Sequence, residues 1–165
     1  MILVMSKTSR KTLRSGDAKK LLMRFNNTFS TNISLRSRVE IFSINNQKVF
    51  VVNVGEIFLE AENYLIPSLK FDYVLKDLPK LKVDRGAIPH ICSGADLMAP
   101  GVRGISKPFQ RSKITVIVDD VYEKNLAVGI ALIDSQEFDI LRKGKVVKNL
   151  HYVGDKVWYF IKGLN

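Results

Sequence analysis

The sequence predicts an α+β domain followed by a small β-barrel-like domain, mixed but mainly β. Three observations predict it. The 165 residues are 46% apolar, enough for one ordinary domain or two small ones. One segment near the start repeats its apolar residues with helical period. The second half carries many short β-rich runs separated by polar turns, the pattern of a partly closed barrel.

The elements follow in order. Residues 1–14 read equally as a flexible basic arm or a first edge strand. Ser15 is an N-cap candidate, with Asp17 in the first turn where the helix dipole favours an acid. Ala18, Leu21, Leu22 and Phe25 form one apolar helical face, and Asn26-Asn27 is the expected stop. Strands are expected over Val39 to Ile44, Lys48 to Val54 and Glu56 to Glu60, with Asn45-Asn46 as a turn. Pro67 predicts a turn, then a short helix from Ser68 through Leu75. The domain boundary is expected near Lys80, giving domains 1–80 and 81–165.

In the second domain Asp84 is expected to cap a short helix over Arg85 to Ser93, closed by Gly94 at its C-terminus. Pro89 sits late for that helix, so a start nearer Pro89 is the alternative. Strands are expected at Ala95 to Met98, Ile114 to Val118 and Leu126 to Leu132, the last two flanking a polar turn. Gly154-Asp155 predicts a tight hairpin between Val146–Val153 and Lys156–Ile161. Trp158 is expected in the core.

Charge narrows the function. Lys and Arg number 26 against 16 Asp and Glu, a net charge of +10, which favours a polyanionic partner. Residues 1–38 carry nine cations (Lys7, Arg10, Lys11, Arg14, Lys19, Lys20, Arg24, Arg36, Arg38) against the single acid Asp17. Residues 39–80 are net −2 and residues 81–165 net +4. The electrostatic footprint is therefore expected in two parts. The lone Cys92 forms no intrachain disulfide and fits a reducing, cytoplasmic setting. The apolar start Met1 to Met5 is too short for a signal segment, and no apolar run reaches membrane length. No membrane partner is expected.

Several motifs in the second half occur together and in order. They are Val83-Asp84-Arg85-Gly86-Ala87, Ser93 through Val102 (SGADLMAPGV), Leu126 through Ala131 (LAVGIA), and His151-Tyr152-Val153-Gly154-Asp155. With these motifs the second half resembles the PUA domain. Ile66-Pro67-Ser68-Leu69-Lys70, Asn149-Leu150-His151-Tyr152 and Trp158 extend the likeness. The whole chain resembles the family of the malignant T-cell amplified sequence protein, its archaeal relatives and ligatin. The resemblance implies RNA binding by the second half. It further implies a role in translation near the small ribosomal subunit and the acceptor end of tRNA, with a SUI1-domain protein as a partner.

The resemblance places RNA in a cleft beside the first helix of the module, against the following glycine loop and the last strand region. Here that loop is Ser93-Gly94-Ala95-Asp96. Glycine lets a phosphate or base approach the backbone closely, although Gly94 reads equally as a helix cap. Arg85, Gly86 and Ala87, at the start of the expected helix, are further candidate contacts. Met98, Pro100, Gly101 and Val102 offer an apolar wall for an unstacked base, with Met98 equally readable as core. Arg85, Arg103, Lys143, Lys145 and Lys148 are candidate phosphate contacts. His151 and Tyr152 follow the basic run Arg142 to Lys148 and are stacking candidates, one of the two being expected to face the core.

Enzyme readings are poor. His90 and Cys92 are two residues apart and share no helical face. The chain lacks a zinc ligand set, a Walker A loop and a dinucleotide fingerprint. The expectation is a non-catalytic protein without cofactor or metal. It is an RNA-binding translation accessory factor contacting tRNA or rRNA. The alternatives are a protein-interaction adaptor on the ribosome and an accessory subunit delivering tRNA to a modification enzyme.

Overall fold

The computed structural model describes residues 8–164. Lys7 and the rest of the first seven residues lie outside the described residues, and the arm reading of that stretch lies there with them. The chain divides between Val74 and Leu75 into two compact units.

The first unit is one helix on a five-stranded antiparallel sheet of order β1-β2-β3-β4-β5. Its strands are β1 (Ser9–Thr12), β2 (Glu40–Ile44), β3 (Gln47–Asn53), β4 (Glu56–Ala61) and β5 (Tyr64–Pro67). Residues 9–12 are thus an edge strand, fully exposed and paired with β2. Asn45 and Asn46 both take positive φ, the geometry of a two-residue hairpin turn.

Helix α1 (Ser15–Phe29) buries Ala18, Leu22 and Phe25. The Phe25 ring stacks on Phe58 at 4.2 Å and on Phe71 at 5.4 Å between centroids. Two expectations about its ends are corrected. Arg14, not Ser15, is the N-cap residue, with no side-chain cap, because β1 delivers an extended backbone straight into the helix. The helix also runs past Asn26-Asn27 to Phe29 and closes on Ser30 in the left-handed region. Asn26 does not stop it. Its side chain instead organises the following loop, accepting from Ile33 N and Thr31 Oγ1 and donating to Ile33 O.

Pro67 ends a strand rather than making a turn. It sits on edge strand β5 opposite Phe58, where a missing donor costs little. The helix expected from Ser68 shrinks to α2 (Asp72–Leu75). Ser68 is fully buried, and its hydroxyl accepts from Lys70 N in a local turn.

The second unit is a six-stranded mixed sheet of order β7-β11-β10-β9-β6-β8. Its strands are β6 (Lys80–Val83), β7 (Leu97–Met98), β8 (Val102–Ile105), β9 (Ile114–Asp119), β10 (Asn125–Ala131) and β11 (Lys145–Tyr152). Strand β6 runs parallel to β9. The outer strands β7 and β8 are joined by only one 3-10 turn, Ala99–Gly101. So short a link between opposite edges requires the sheet to curl into a partly closed barrel. Leu81, Val83, Ile91, Leu97, Ile117, Ala127 and Val147 fill it.

Helix α3 is shorter than expected, Ile88–Ile91, with Pro89 in its first turn. Asp84 shapes the preceding turn instead, its Oδ1 accepting from Ala87 N at 2.9 Å. The last expected strand is a helix, α4 (Lys156–Lys162). Its residues are β-prone, but Asp155 caps it by accepting from Trp158 N at 2.6 Å, and Val157 and Ile161 bury one face at i, i+4. Trp158 is half-buried rather than core, with Lys162 Nζ 4.9 Å from its ring centroid. No helix among the described residues is long and apolar enough to cross a membrane.

Strand β11 carries a bulge. Val128 pairs with His151 and Gly129 with Asn149, leaving Leu150 extra. Gly129 is required there, since a Cβ would lie 2.3 Å from Lys148 O and 2.6 Å from Val147 Cγ1. Gly129→Ala is expected to cost about 1–3 kcal/mol, because backbone must move to admit it. Urea unfolding measures the loss, and an unchanged midpoint would refute the tight crossing.

Candidate nucleic-acid interface

The glycine loop is built by the end of α3. Gly94 N donates to Ile91 O at 3.0 Å, Ala95 N to His90 O at 3.0 Å, and Ser93 Oγ to His90 O at 2.9 Å. Gly94 takes φ +94°, a conformation side chains rarely adopt. A Cβ on it would lie 2.9 Å from Tyr152 Oη, so the half-buried Tyr152 ring forms the floor beneath the glycine.

Two β11 residues hold this loop. The Asn149 side-chain amide donates to Ile91 O at 3.0 Å and to Ala95 O at 3.1 Å. Asp96 returns the connection, accepting from Asn149 N at 3.0 Å and from Lys145 Nζ at 2.9 Å. Burial alone would raise the Asp96 carboxyl, but the Lys145 and Asn149 hydrogen bonds outweigh it and hold it below the usual carboxylate range. Lys145 therefore reaches a phosphate only by sharing or leaving Asp96.

The second group surrounds the start of α3. Arg85 and Gly86 are exposed in the Asp84–Ala87 turn, and Ala87 is half-buried. Arg103 on β8 binds Asp84 Oδ2 at 2.5 Å. The Asp84 carboxyl is lowered first by the Ala87 N–H, with Arg103 adding to it against burial. Gly101 lies against this turn, 3.4 Å from the Ala87 methyl for a Cβ built on it.

The remaining candidates spread along β7 and β11. Met98 is 45% exposed and pairs with Lys145 across the strands, so it lies outside the core. Pro100 and Lys143 are exposed, and Lys148 is half-buried. Ala99 N donates to Gly144 O, which ties the Lys143 turn to the β7 end.

His151 does not join them. It is fully buried, with Nδ1 2.7 Å from Asp155 Oδ2, which corrects its reading as a stacking residue. The β11 bulge turns it inward while Tyr152 stays half-exposed under Gly94. Burial presses the Asp155 carboxyl upward, but hydrogen bonds from His151, Trp158 N and Tyr152 N together lower it. Among the described residues no group of three or more His, Cys, Asp and Glu is placed to hold a metal.

Sequence reasoning missed Asn149 and Asp155. A signal for the first exists: Asn is a poor strand former, so an Asn inside a strand-like run points to a specific hydrogen-bonding duty. For the second, an acid followed by apolar residues two and six positions on was a cap signature.

Comparison with known proteins places this geometry. Residues 79–153 match the PUA domain, and residues 9–77 match a domain of unknown function, DUF1947. An uncharacterized protein of Methanocaldococcus jannaschii is 37% identical over 131 residues, spanning 78% of this chain and 80% of that one. Translation machinery-associated protein 20 of Saccharomyces cerevisiae is 30% identical over 136 residues, spanning 78% of this chain and 75% of its own. The chain belongs to this PUA-domain family. Malignant T-cell-amplified sequence 1 of Rattus norvegicus is a further relative, 26% identical over 134 residues, covering 77% of this chain and 68% of that one. The PUA-domain fold is shared by a hypothetical protein from Pyrococcus horikoshii. That structure has a TM-score of 0.76 and 25% identity, covering 93% of this chain and 99% of that one.

In this PUA unit the glycine loop and Tyr152 are expected to be coupled. Gly94→Ala should lower stability through positive φ and the Tyr152 contact. Its penalty should shrink by about 0.5–1 kcal/mol in a Tyr152→Ala background. Equal penalties in both backgrounds, read by urea unfolding, would place the tyrosine away from the loop.

Proposed function

We propose that this protein is a non-catalytic, cytoplasmic RNA-binding accessory factor of translation. The second unit, expected over residues 81–165, holds the RNA, and the α+β unit ahead of it is a separate domain. The RNA lies against the Ser93–Asp96 loop, with an unpaired end, of the kind a tRNA acceptor presents, entering beside Gly94. One observation carries the reading. The loop is locked to β11 by Asn149 and Asp96, with Gly94 half-buried over the Tyr152 ring, and Arg85 before α3 and Lys143 before β11 are exposed cations of the same unit. A preorganised glycine turn in a unit with exposed cations suits a phosphate or an unstacked base. The kinship with translation machinery-associated protein 20 supports a translational setting, with the small ribosomal subunit and a SUI1-type protein as the partners to look for.

The fixed geometry costs little on binding, because the loop is already ordered by four side-chain hydrogen bonds from Asn149, Asp96 and Lys145. Phosphate contacts then supply affinity and salt dependence, while the loop and Tyr152 supply selectivity for an end.

Fluorescence anisotropy with intact tRNA, 3′-trimmed tRNA and duplex DNA is the direct test. Preference for the intact tRNA is expected, and equal binding to all three would reduce the protein to a general polyanion binder. Lys143→Ala/Lys145→Ala/Lys148→Ala should flatten the salt slope by ~0.7 for each lost contact on single-stranded RNA. Lys145 is expected to contribute least, since Asp96 already holds it.

A further inference from the structure

The fold sorts the N-terminal cations into two sets. On one side of the first sheet they are neutralised. Glu40 accepts Arg10 at 2.8 Å and Arg38 at 3.4 Å, and the Arg10 guanidinium lies 6.0 Å from the Phe42 ring centroid. On the α1 side they are not. The β1–β2 register pairs Lys11 with Ile41, whose side chain packs into the α1 core, so Lys11 stands on the helix side of the sheet edge. Arg14 caps α1 by backbone only. Because Ala18, Leu22 and Phe25 are buried, Lys19, Lys20 and Met23 are forced outward, and all are exposed. Lys11, Arg14, Lys19 and Lys20 have no ion-pair partner among the described residues, and Asp17 is the only acid on the helix. The acids Glu60 and Glu56 are engaged elsewhere, with Lys48 and Asn53.

We propose that the face formed by Lys11, Arg14, Lys19 and Lys20 is a second RNA-binding surface, which grips the phosphate backbone without reading sequence. The inference rests on the RNA-binding reading above and adds a contact outside the PUA domain. Lys19 and Lys20 stand on the outward side of α1, away from Ala18, Leu22 and Phe25, and with Lys11 and the Arg14 guanidinium at the helix start their long side chains offer several contacts to a phosphate backbone. A folded protein partner fits less well. Interfaces of that kind are anchored by buried aromatic or apolar residues, and here Met23 is the only large apolar side chain exposed on α1. A lipid surface fits less well too, because the apolar stripe that an interfacial helix would insert is already spent on the core.

The test uses the full chain carrying Lys11→Gln/Lys19→Gln/Lys20→Gln, whose sites are exposed and whose urea midpoint should match the unsubstituted protein. Binding to tRNA and to purified small ribosomal subunits is followed against salt. The slope should fall by about 2 on at least one of them, on the order of 100-fold weaker binding at 0.1 M salt. The Lys143/Lys145/Lys148→Ala protein runs alongside. If that variant loses slope and the α1 variant keeps the parental slope on both ligands, the second surface is refuted and the cleft reading stands. If the unsubstituted protein binds neither RNA, the RNA-binding reading itself fails and takes this inference with it. If the α1 substitutions weaken binding only to phosphatidylserine vesicles or only to polyglutamate, the face belongs to a membrane or an acidic protein, and the proposal is overturned.

Discussion

The side-chain amide of Asn149 spans the one turn on which the rest of the second unit's surface depends. It donates one hydrogen to Ile91 O and the other to Ala95 O, so both ends of the glycine turn are held to β11 by a single planar group. The neighbouring backbone closes the same circuit, with Asn149 N donating to Asp96. Such a clamp works only if β11 can bring Asn149 within reach of the loop while burying Leu150 and His151. The bulge at Leu150 does this by breaking strict alternation, and Gly129 makes room for the bulge. A polar residue in a strand, an irregular ladder and a glycine on the neighbouring strand are thus one device.

Much of this was legible from residue patterns. The α1 stripe, the Asn45-Asn46 turn and the β9 and β10 runs are local signals, and local rules recover them. What was not legible came from competition between local preference and tertiary context. Lys156–Ile161 reads as a strand by composition, yet one carboxylate at Asp155 and two apolar residues one turn apart make the segment part of a helix, Lys156–Lys162. Pro67 looked like a breaker, but at a sheet edge its missing donor is harmless. His151 and Tyr152 were both plausible stacking groups. Only the bulge decides that the histidine goes in. Strands β6 and β8 leave no local signal, because each is four residues long and is defined by pairing with distant chain.

Charge tells a different story from sequence position. Nine cations precede residue 39, and counting alone cannot say which of them face a partner. Strand alternation decides. Arg10 and Lys11 are neighbours, yet one turns to Glu40 and the other to the α1 side. A similar sorting operates in the second unit, where Asp84 holds Arg103 and Asp96 holds Lys145, while Arg85 and Lys143 have no carboxylate partner among the described residues. Acids in this basic protein act less as counterweight than as fasteners that fix loops and select which cations stay available.

The same logic links the end of the barrel to its candidate site. Asp155 Oδ1 accepts from Trp158 N and starts α4, while Oδ2 accepts from Tyr152 N at 3.0 Å and from His151 Nδ1. One carboxylate therefore anchors the last helix, the buried histidine and the backbone of the residue whose ring underlies Gly94. Its carboxyl sits below its ordinary value, so its contribution to stability is complete above the unfolded value near pH 4 and is lost as pH falls through the folded one. Asp155→Ala should lower stability at neutral pH by about 2 kcal/mol through the lost cap and hydrogen bonds. The gap to the parent, followed by urea unfolding, should close on acidification below about pH 4. A gap independent of pH would mean that packing of α4, and not the charge on Asp155, holds Tyr152 in place.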